Sequence, residues 1–148
     1  MPIARLILCE KTTRWAVALR RALGDRQHVL SQTRSLAECS RELAASPASL
    51  VVVECTADNL EPLLVAAGQW SRQFLHARFV AALDDSLAPA EALVREAGAI
   101  GVVRSSRHVR SLARLALRHL ARAPSRELPL CEAIVERLPW ARWASRPA

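Results

Sequence analysis

The sequence predicts a domain of the α/β class, in which parallel strands alternate with helices. Short apolar runs recur along the chain, and segments of helical periodicity separate them. The run Leu50-Val51-Val52-Val53 is apolar at every position, which is typical of a strand buried on both faces of a parallel sheet. A length of 148 residues with 51% hydrophobic residues suits one domain with a full core. The chain is therefore expected to fold rather than to stay disordered.

Five strand segments and five helix segments alternate. The strands are predicted at residues 5–9, 28–31, 50–54, 78–83 and 100–103. The helices are predicted to run from Thr12 or Thr13 to Gly24, from Ser35 to about 45, from about 58 to 75, from about 88 to 97, and from about 107 to 122. Right-handed crossovers then give a parallel sheet with helices on both faces. The expected strand order is 2-1-3-4-5, the flavodoxin-like arrangement.

Capping patterns mark where two of the helices begin. Ser35 and Glu38 form a capping box, because the serine can accept from the amide three residues on and the glutamate can reach back. Asp58 and Glu61 are predicted to cap the third helix in a similar way. Strand one is not followed by a glycine-rich turn, which argues against a dinucleotide-binding fold.

The domain is predicted to cover residues 1–123, and residues 124–148 form a C-terminal extension. Four prolines punctuate this extension, and residues 130–138 could form a short amphipathic helix. Trp140 and Trp143 follow, three residues apart. They are expected either to cover an apolar patch of the same domain or to anchor the chain to another subunit or protein.

Cysteine and histidine placement excludes several classes of function. The four cysteines (Cys9, Cys39, Cys55 and Cys131) lack paired spacing, and the four histidines are dispersed. We expect buried thiols in a reduced, cytoplasmic compartment, and no zinc site or other cofactor. The sequence holds no catalytic triad order and no phosphate loop, so an enzyme is not expected. Apolar runs fall short of the roughly 20 residues of a membrane span.

Two acidic residues lie where parallel sheets place their functional side chains. Glu10 follows strand one, and Glu54 ends strand three. With the element order, these positions resemble the receiver domain of response regulators over about residues 4–122. The resemblance implies a pocket in which acidic residues bind magnesium and an aspartate accepts a phosphoryl group. Glu54 stands at the position of that aspartate.

Most positions of the implied pocket depart from the family pattern. Lys11 replaces the second acid after strand one, Leu83 replaces a Ser or Thr that ends strand four, and Ser105, beside Arg104, replaces a lysine after strand five. Magnesium needs converging oxygen ligands, and phosphoryl transfer needs cations that neutralise developing charge. We therefore expect a degenerate pocket that is not phosphorylated. Glu54 is expected either to mimic a phosphoaspartate or to pair with Lys11 or Arg104.

The last predicted helix carries a stripe of arginines. Residues 97–126 hold seven arginines and no acid, which accounts for the whole net charge of +7. Five of them recur at spacings of three or four residues: Arg107, Arg110, Arg114, Arg118 and Arg122. The stripe is expected to be a solvated face partly neutralised elsewhere in the fold, a surface for a protein partner or homodimer, or a nucleic-acid site. By resemblance, receivers commonly use this surface for dimerisation and docking.

These observations favour a phosphorylation-independent pseudo-receiver that acts as a protein-interaction module. A nucleic-acid-associated regulatory protein is the alternative, and it depends on the arginine stripe. No membrane partner is expected.

Overall fold

A computed structural model describes residues 3–124, and these residues form one five-stranded parallel sheet with helices on both faces. The strands are β1 (Leu6–Cys9), β2 (Leu30–Thr33), β3 (Leu50–Cys55), β4 (Arg78–Leu83) and β5 (Gly101–Val103). Their order in the sheet is β2-β1-β3-β4-β5, and every neighbouring pair is parallel. The predicted α/β fold class and strand order are confirmed.

The five helices form two layers. They are α1 (Arg14–Leu23), α2 (Leu36–Ala45), α3 (Leu60–Gln73), α4 (Glu91–Glu96) and α5 (Val109–Arg122). Alternate residues of the central strands point to opposite faces of the sheet. Leu6, Leu50 and Val52 pack with Trp15 and the buried residues of α1 and α5. Ile7, Val51 and Val53 pack with α2, α3 and α4. The α1–α5 layer thus covers one face, and the α2–α4 layer covers the other.

Short 3₁₀ segments account for most differences from the predicted boundaries. Gly24, with a φ of 56°, ends α1 and begins a 3₁₀ segment over residues 24–29. Strand β2 therefore starts two residues later than predicted. Residues 85–90 form another 3₁₀ segment, which Asp84 caps by accepting from the Ser86 and Leu87 amides. This segment replaces the predicted beginning of α4.

The predicted cap of α2 is confirmed in its main contact, whereas that of α3 is wrong. The Ser35 hydroxyl accepts from the Glu38 amide at 3.2 Å, and the Glu38 carboxylate reaches back to the Arg34 amide instead of that of Ser35. Asp58 does not cap α3. Asn59 precedes that helix, and its side chain accepts from the Thr56 amide and donates to the Glu54 carbonyl, both at 2.7 Å.

Three of the four cysteines lie in the described part of the chain, and all three are buried free thiols as predicted: Cys9, Cys39 and Cys55. Burial raises the pKa of each thiol, that of Cys55 to about 12, which keeps them protonated and unreactive. Cys131, Trp140 and Trp143 lie outside the described residues. Among residues 3–124, no helix has both the length and the apolar character that crossing a bilayer would require.

Candidate functional site

The carboxyl ends of β1, β3 and β4 meet at one edge of the sheet, where two small cavities adjoin Glu54. One cavity, of about 190 Å³, is lined in part by Glu10, Lys11 and Glu54. The other, of about 220 Å³, is lined in part by Glu54, Leu83 and Arg14. The structure therefore brings together four of the six residues predicted for the degenerate pocket.

Glu10 is shielded from solvent, and its carboxylate caps α1. Its two oxygens accept hydrogen bonds from the backbone amides of Trp15 at 2.9 Å and Ala16 at 2.8 Å. These are amides of the first helical turn, which lack partners within the helix. The residue is only 2% exposed, and burial raises the pKa of its carboxyl group above the usual range. Its chemistry here is that of a buried helix cap.

Two cationic residues, Lys11 and Arg34, line the cavity next to Glu10. Lys11 is exposed on its wall, and its backbone carbonyl accepts from the Arg34 guanidinium at 2.7 Å. Magnesium would need several free oxygens at this point. Within residues 3–124, no three His, Cys, Asp or Glu side chains converge as metal ligands would. The residues present therefore do not fit the magnesium ion that the fold's pocket implies.

Glu54 is half-buried, and its carboxylate accepts a hydrogen bond from the Thr12 hydroxyl at 3.2 Å. The ion pair predicted with Lys11 or Arg104 is wrong. Salt bridges among residues 3–124 do not include Glu54, and the Arg104 guanidinium pairs with Glu91 instead. Arg104 thus extends toward Glu91 at the beginning of α4.

Leu83 lines a cavity beside Glu54, whereas Ser105 lies apart from both cavities. Leu83 is 1% exposed and packs in the core with the α2–α4 layer. The Ser105 hydroxyl accepts from the Arg107 amide at 3.2 Å and caps a 3₁₀ turn before α5. Neither Arg104 nor Ser105 lines the two cavities around Glu54. No hydroxyl or cation from these positions faces Glu54 among the contacts of the described chain.

Sequence reasoning missed four polar residues around Glu54: Thr12, Arg14, Arg34 and Asp84. Thr12 lies in the loop before α1, Arg14 begins α1, and Asp84 follows β4 directly. All three line the second cavity. The Ser86 hydroxyl, ahead of nearby amides and the Arg14 charge, lowers the pKa of Asp84. Position immediately after a strand could have identified Asp84, as it identified Glu10.

The predicted arginine stripe is a real surface of the folded chain. Its five members are all exposed, and none forms a salt bridge with another described residue: Arg107, Arg110, Arg114, Arg118 and Arg122. The opposite face of α5 is buried through Leu112, Ala113 and Ala116, as predicted. Whether these arginines bind a partner stays a prediction.

Comparison with known proteins bears on the fold. The chain is similar to an orphan response regulator of H. pylori, with 17% identity and a TM-score of 0.64 over 80% of this chain and 98% of that one. It is also similar to the signal receiver domain of a putative LuxO repressor from Vibrio parahaemolyticus, with 14% identity and a TM-score of 0.64 over 91% and 98% of the two chains.

A third similar structure is a putative pilus assembly-related protein from Burkholderia pseudomallei, with 18% identity and a TM-score of 0.63 over 85% of this chain and 96% of that one. No protein-family model and no curated protein matches the chain. At these identities the likeness concerns the fold. The strand order, the two helix layers and these neighbours agree, and the chain has the flavodoxin-like fold of response-regulator receiver domains.

Proposed function

We propose that this chain is a pseudo-receiver, a signalling module that works without phosphorylation. The observation that carries the proposal is the Glu10 carboxylate, whose two oxygens both accept from α1 amides. An acid engaged in this way is not free to bind a metal. Lys11 adds a positive charge beside it, and Leu83 supplies no hydroxyl. The residues of the pocket therefore stabilise the fold more than they equip it for metal binding and phosphorylation.

A signalling module that is not phosphorylated acts by binding a partner. The exposed arginines of α5 form a surface for such binding. Arginine is enriched at protein interfaces and pairs well with carboxylates. We propose a protein partner, in a cytoplasmic setting that keeps the buried thiols reduced. A pull-down from native extract should lose one specific protein in the Arg110→Glu/Arg114→Glu variant. Loss of nucleic acid alone would contradict this choice of partner.

The pseudo-receiver proposal is tested by offering the chain a small phosphodonor. Wild type and Glu54→Asp are incubated with acetyl phosphate and magnesium chloride, and their intact masses are measured. Neither is expected to gain a phosphoryl group, because restoring the aspartate does not restore the metal site. A receiver domain with a complete aspartate pocket serves as the positive control. Stoichiometric phosphorylation of the wild type would overturn the proposal.

A nucleic-acid-associated role is the second candidate, and one observation favours it: α5 carries four arginines and no acid. Binding through phosphate contacts releases counterions, so affinity should fall steeply with salt, with a slope of about −0.9 per contact on duplex DNA. Affinity for a duplex measured between 50 and 200 mM salt, about fourfold apart, decides this. A flat salt dependence would exclude the role.

A further inference from the structure

Charge is divided between the two helix layers. The α1–α5 layer has three arginines in α1, four in α5 and no acid in either helix. In the α2–α4 layer, the three helices hold five glutamates and three arginines. One face of the sheet is therefore covered by purely cationic helices, and the other by mixed ones. The cationic surface thus extends from the α5 stripe onto α1.

The arginines of α1 fall on two flanks of that helix. The Arg20 guanidinium donates to the Gln32 amide oxygen on β2, at the edge of the sheet. At about 100° per residue, Arg14 and Arg21 lie on the opposite flank. Since β2 is the edge strand next to β1, that flank is the one toward α5. Val17 lies outermost and is 52% exposed.

Four arginines repeat once per turn along α5, over a length of about 18 Å: Arg110, Arg114, Arg118 and Arg122. Like charges four residues apart destabilise a helix by roughly 0.2–0.5 kcal/mol per pair. Acidic residues at intervening positions would remove this cost. Neither α1 nor α5 contains one.

We infer that the α1–α5 layer is a docking surface for the acidic face of a different protein, with Val17 as an apolar contact within it. The inference rests on the proposed function, and it names the surface and the chemistry of the partner. A symmetric pair of copies joined through this layer does not fit, because it would oppose seven arginines to seven. The cationic layer selects a partner rich in Asp and Glu.

Shape favours a protein over duplex DNA. The major groove, about 12 Å wide, admits a single helix. Packed helices lie about 8–10 Å apart, so α1 and α5 side by side present a broad face that does not enter it. The exposed Val17, between arginines, can also contact an apolar side chain of a protein partner. The phosphates of DNA would make no such apolar contact.

The test uses the full chain and two defined probes at 0.15 M salt. One probe is a labelled helical peptide with glutamates one turn apart and a leucine on the same face, and the other is a labelled DNA duplex of equal charge. Two charge-reversal variants change the surface, Arg14→Glu/Arg21→Glu on α1 and Arg110→Glu/Arg114→Glu on α5. Arg41→Glu/Arg72→Glu reverses the same charge on the α2–α4 layer and serves as the matched control.

Wild type should bind the peptide, and each surface variant should weaken that binding at least tenfold, while the control changes it less than twofold. Val17→Ser should weaken it by a smaller factor. Circular dichroism verifies that every variant is folded. Tighter binding to the duplex than to the peptide, or equal loss in the control, overturns the inference. If the α5 variant alone weakens binding, the docking surface excludes α1 and the inference fails, while the phosphodonor result still stands for the proposed function.

Discussion

At the scale of single residues, one acid in the implied pocket caps a helix, and the other forms no salt bridge with any residue between 3 and 124. Glu10 sits where receiver folds bind metal, but its carboxylate faces the first turn of α1. Glu54 keeps its carboxylate at the strand end, held by the Thr12 hydroxyl. Because Glu54 forms no salt bridge with a described residue, its negative charge is available for the predicted role of a phosphoaspartate mimic. Glu54→Gln with unchanged structure and partner binding would remove support for that role.

Replacing Glu10 should reveal its capping role. Glu10→Ala leaves two buried α1 amides without acceptors, so we expect a loss of about 1–3 kcal/mol in the free energy of unfolding. Urea denaturation followed by circular dichroism measures it. Lys11→Ala, at the exposed neighbouring position, is the control and should change stability by less than about 0.5 kcal/mol. Equal values for both variants would contradict the capping role.

Glu10 should also make stability depend on pH. Burial raises the pKa of its carboxyl group in the folded chain above that in the unfolded chain, about 4.3. A raised pKa means that the carboxyl group binds its proton more tightly in the folded chain than in the unfolded chain. This contribution to the free energy of unfolding is fully present below the pKa of Glu10 in the unfolded chain. It is lost as the pH rises through the pKa of Glu10 in the folded chain. Wild-type stability relative to Glu10→Gln should therefore decrease from pH 4 to pH 7 in urea titrations. A constant difference would show that the pKa is not raised.

At the scale of elements, local hydrogen bonds decide where the loop after β3 turns into α3. Asn59 bridges the Thr56 amide and the Glu54 carbonyl, each at 2.7 Å, and so closes the turn that follows the candidate site. Asp58, which sequence reasoning favoured as the cap, is exposed. The asparagine thus fixes the backbone of Glu54 as well as the beginning of the helix.

Paired alanine substitutions separate these two neighbours. Asn59→Ala removes both bridging hydrogen bonds and should cost about 1–3 kcal/mol of stability. Asp58→Ala should cost less than about 0.5 kcal/mol, because that side chain is exposed. Thermal and urea unfolding of both variants measure the difference. A larger loss for Asp58→Ala would restore the cap predicted from the sequence.

Most elements could be predicted because their signals are local. The apolar run Leu50–Val53 and the Ser35 cap depend on residues close in sequence, and both are confirmed. The direction of a side chain is not local. The sequence places Glu10 after β1, whereas the contact of its carboxylate with the α1 amides depends on how strand and helix pack together. Arg104 likewise pairs with Glu91, 13 residues away in sequence, and not with Glu54.

At the scale of the whole molecule, the uneven charge has a cost that folding alone does not require. Every mid-stripe arginine of α5 has like charges one turn before and one turn after it. A chain selected for stability alone would gain from acids at these positions. The absence of acids from α1 and α5 is therefore an argument that this surface binds a partner.

Reversing one charge in the middle of the stripe should stabilise the free protein. Arg114→Glu converts two like-charge pairs, with Arg110 and Arg118, into opposite-charge pairs, so we expect a gain of about 1 kcal/mol at low salt. The gain should shrink as salt screens the pairs. Arg72→Glu on α3, in the α2–α4 layer, is the control and should gain nothing comparable. Urea unfolding at low and high salt measures both. A destabilised Arg114→Glu would show that the stripe is already neutralised within the full chain, and the case for an acidic partner would then lose its energetic basis.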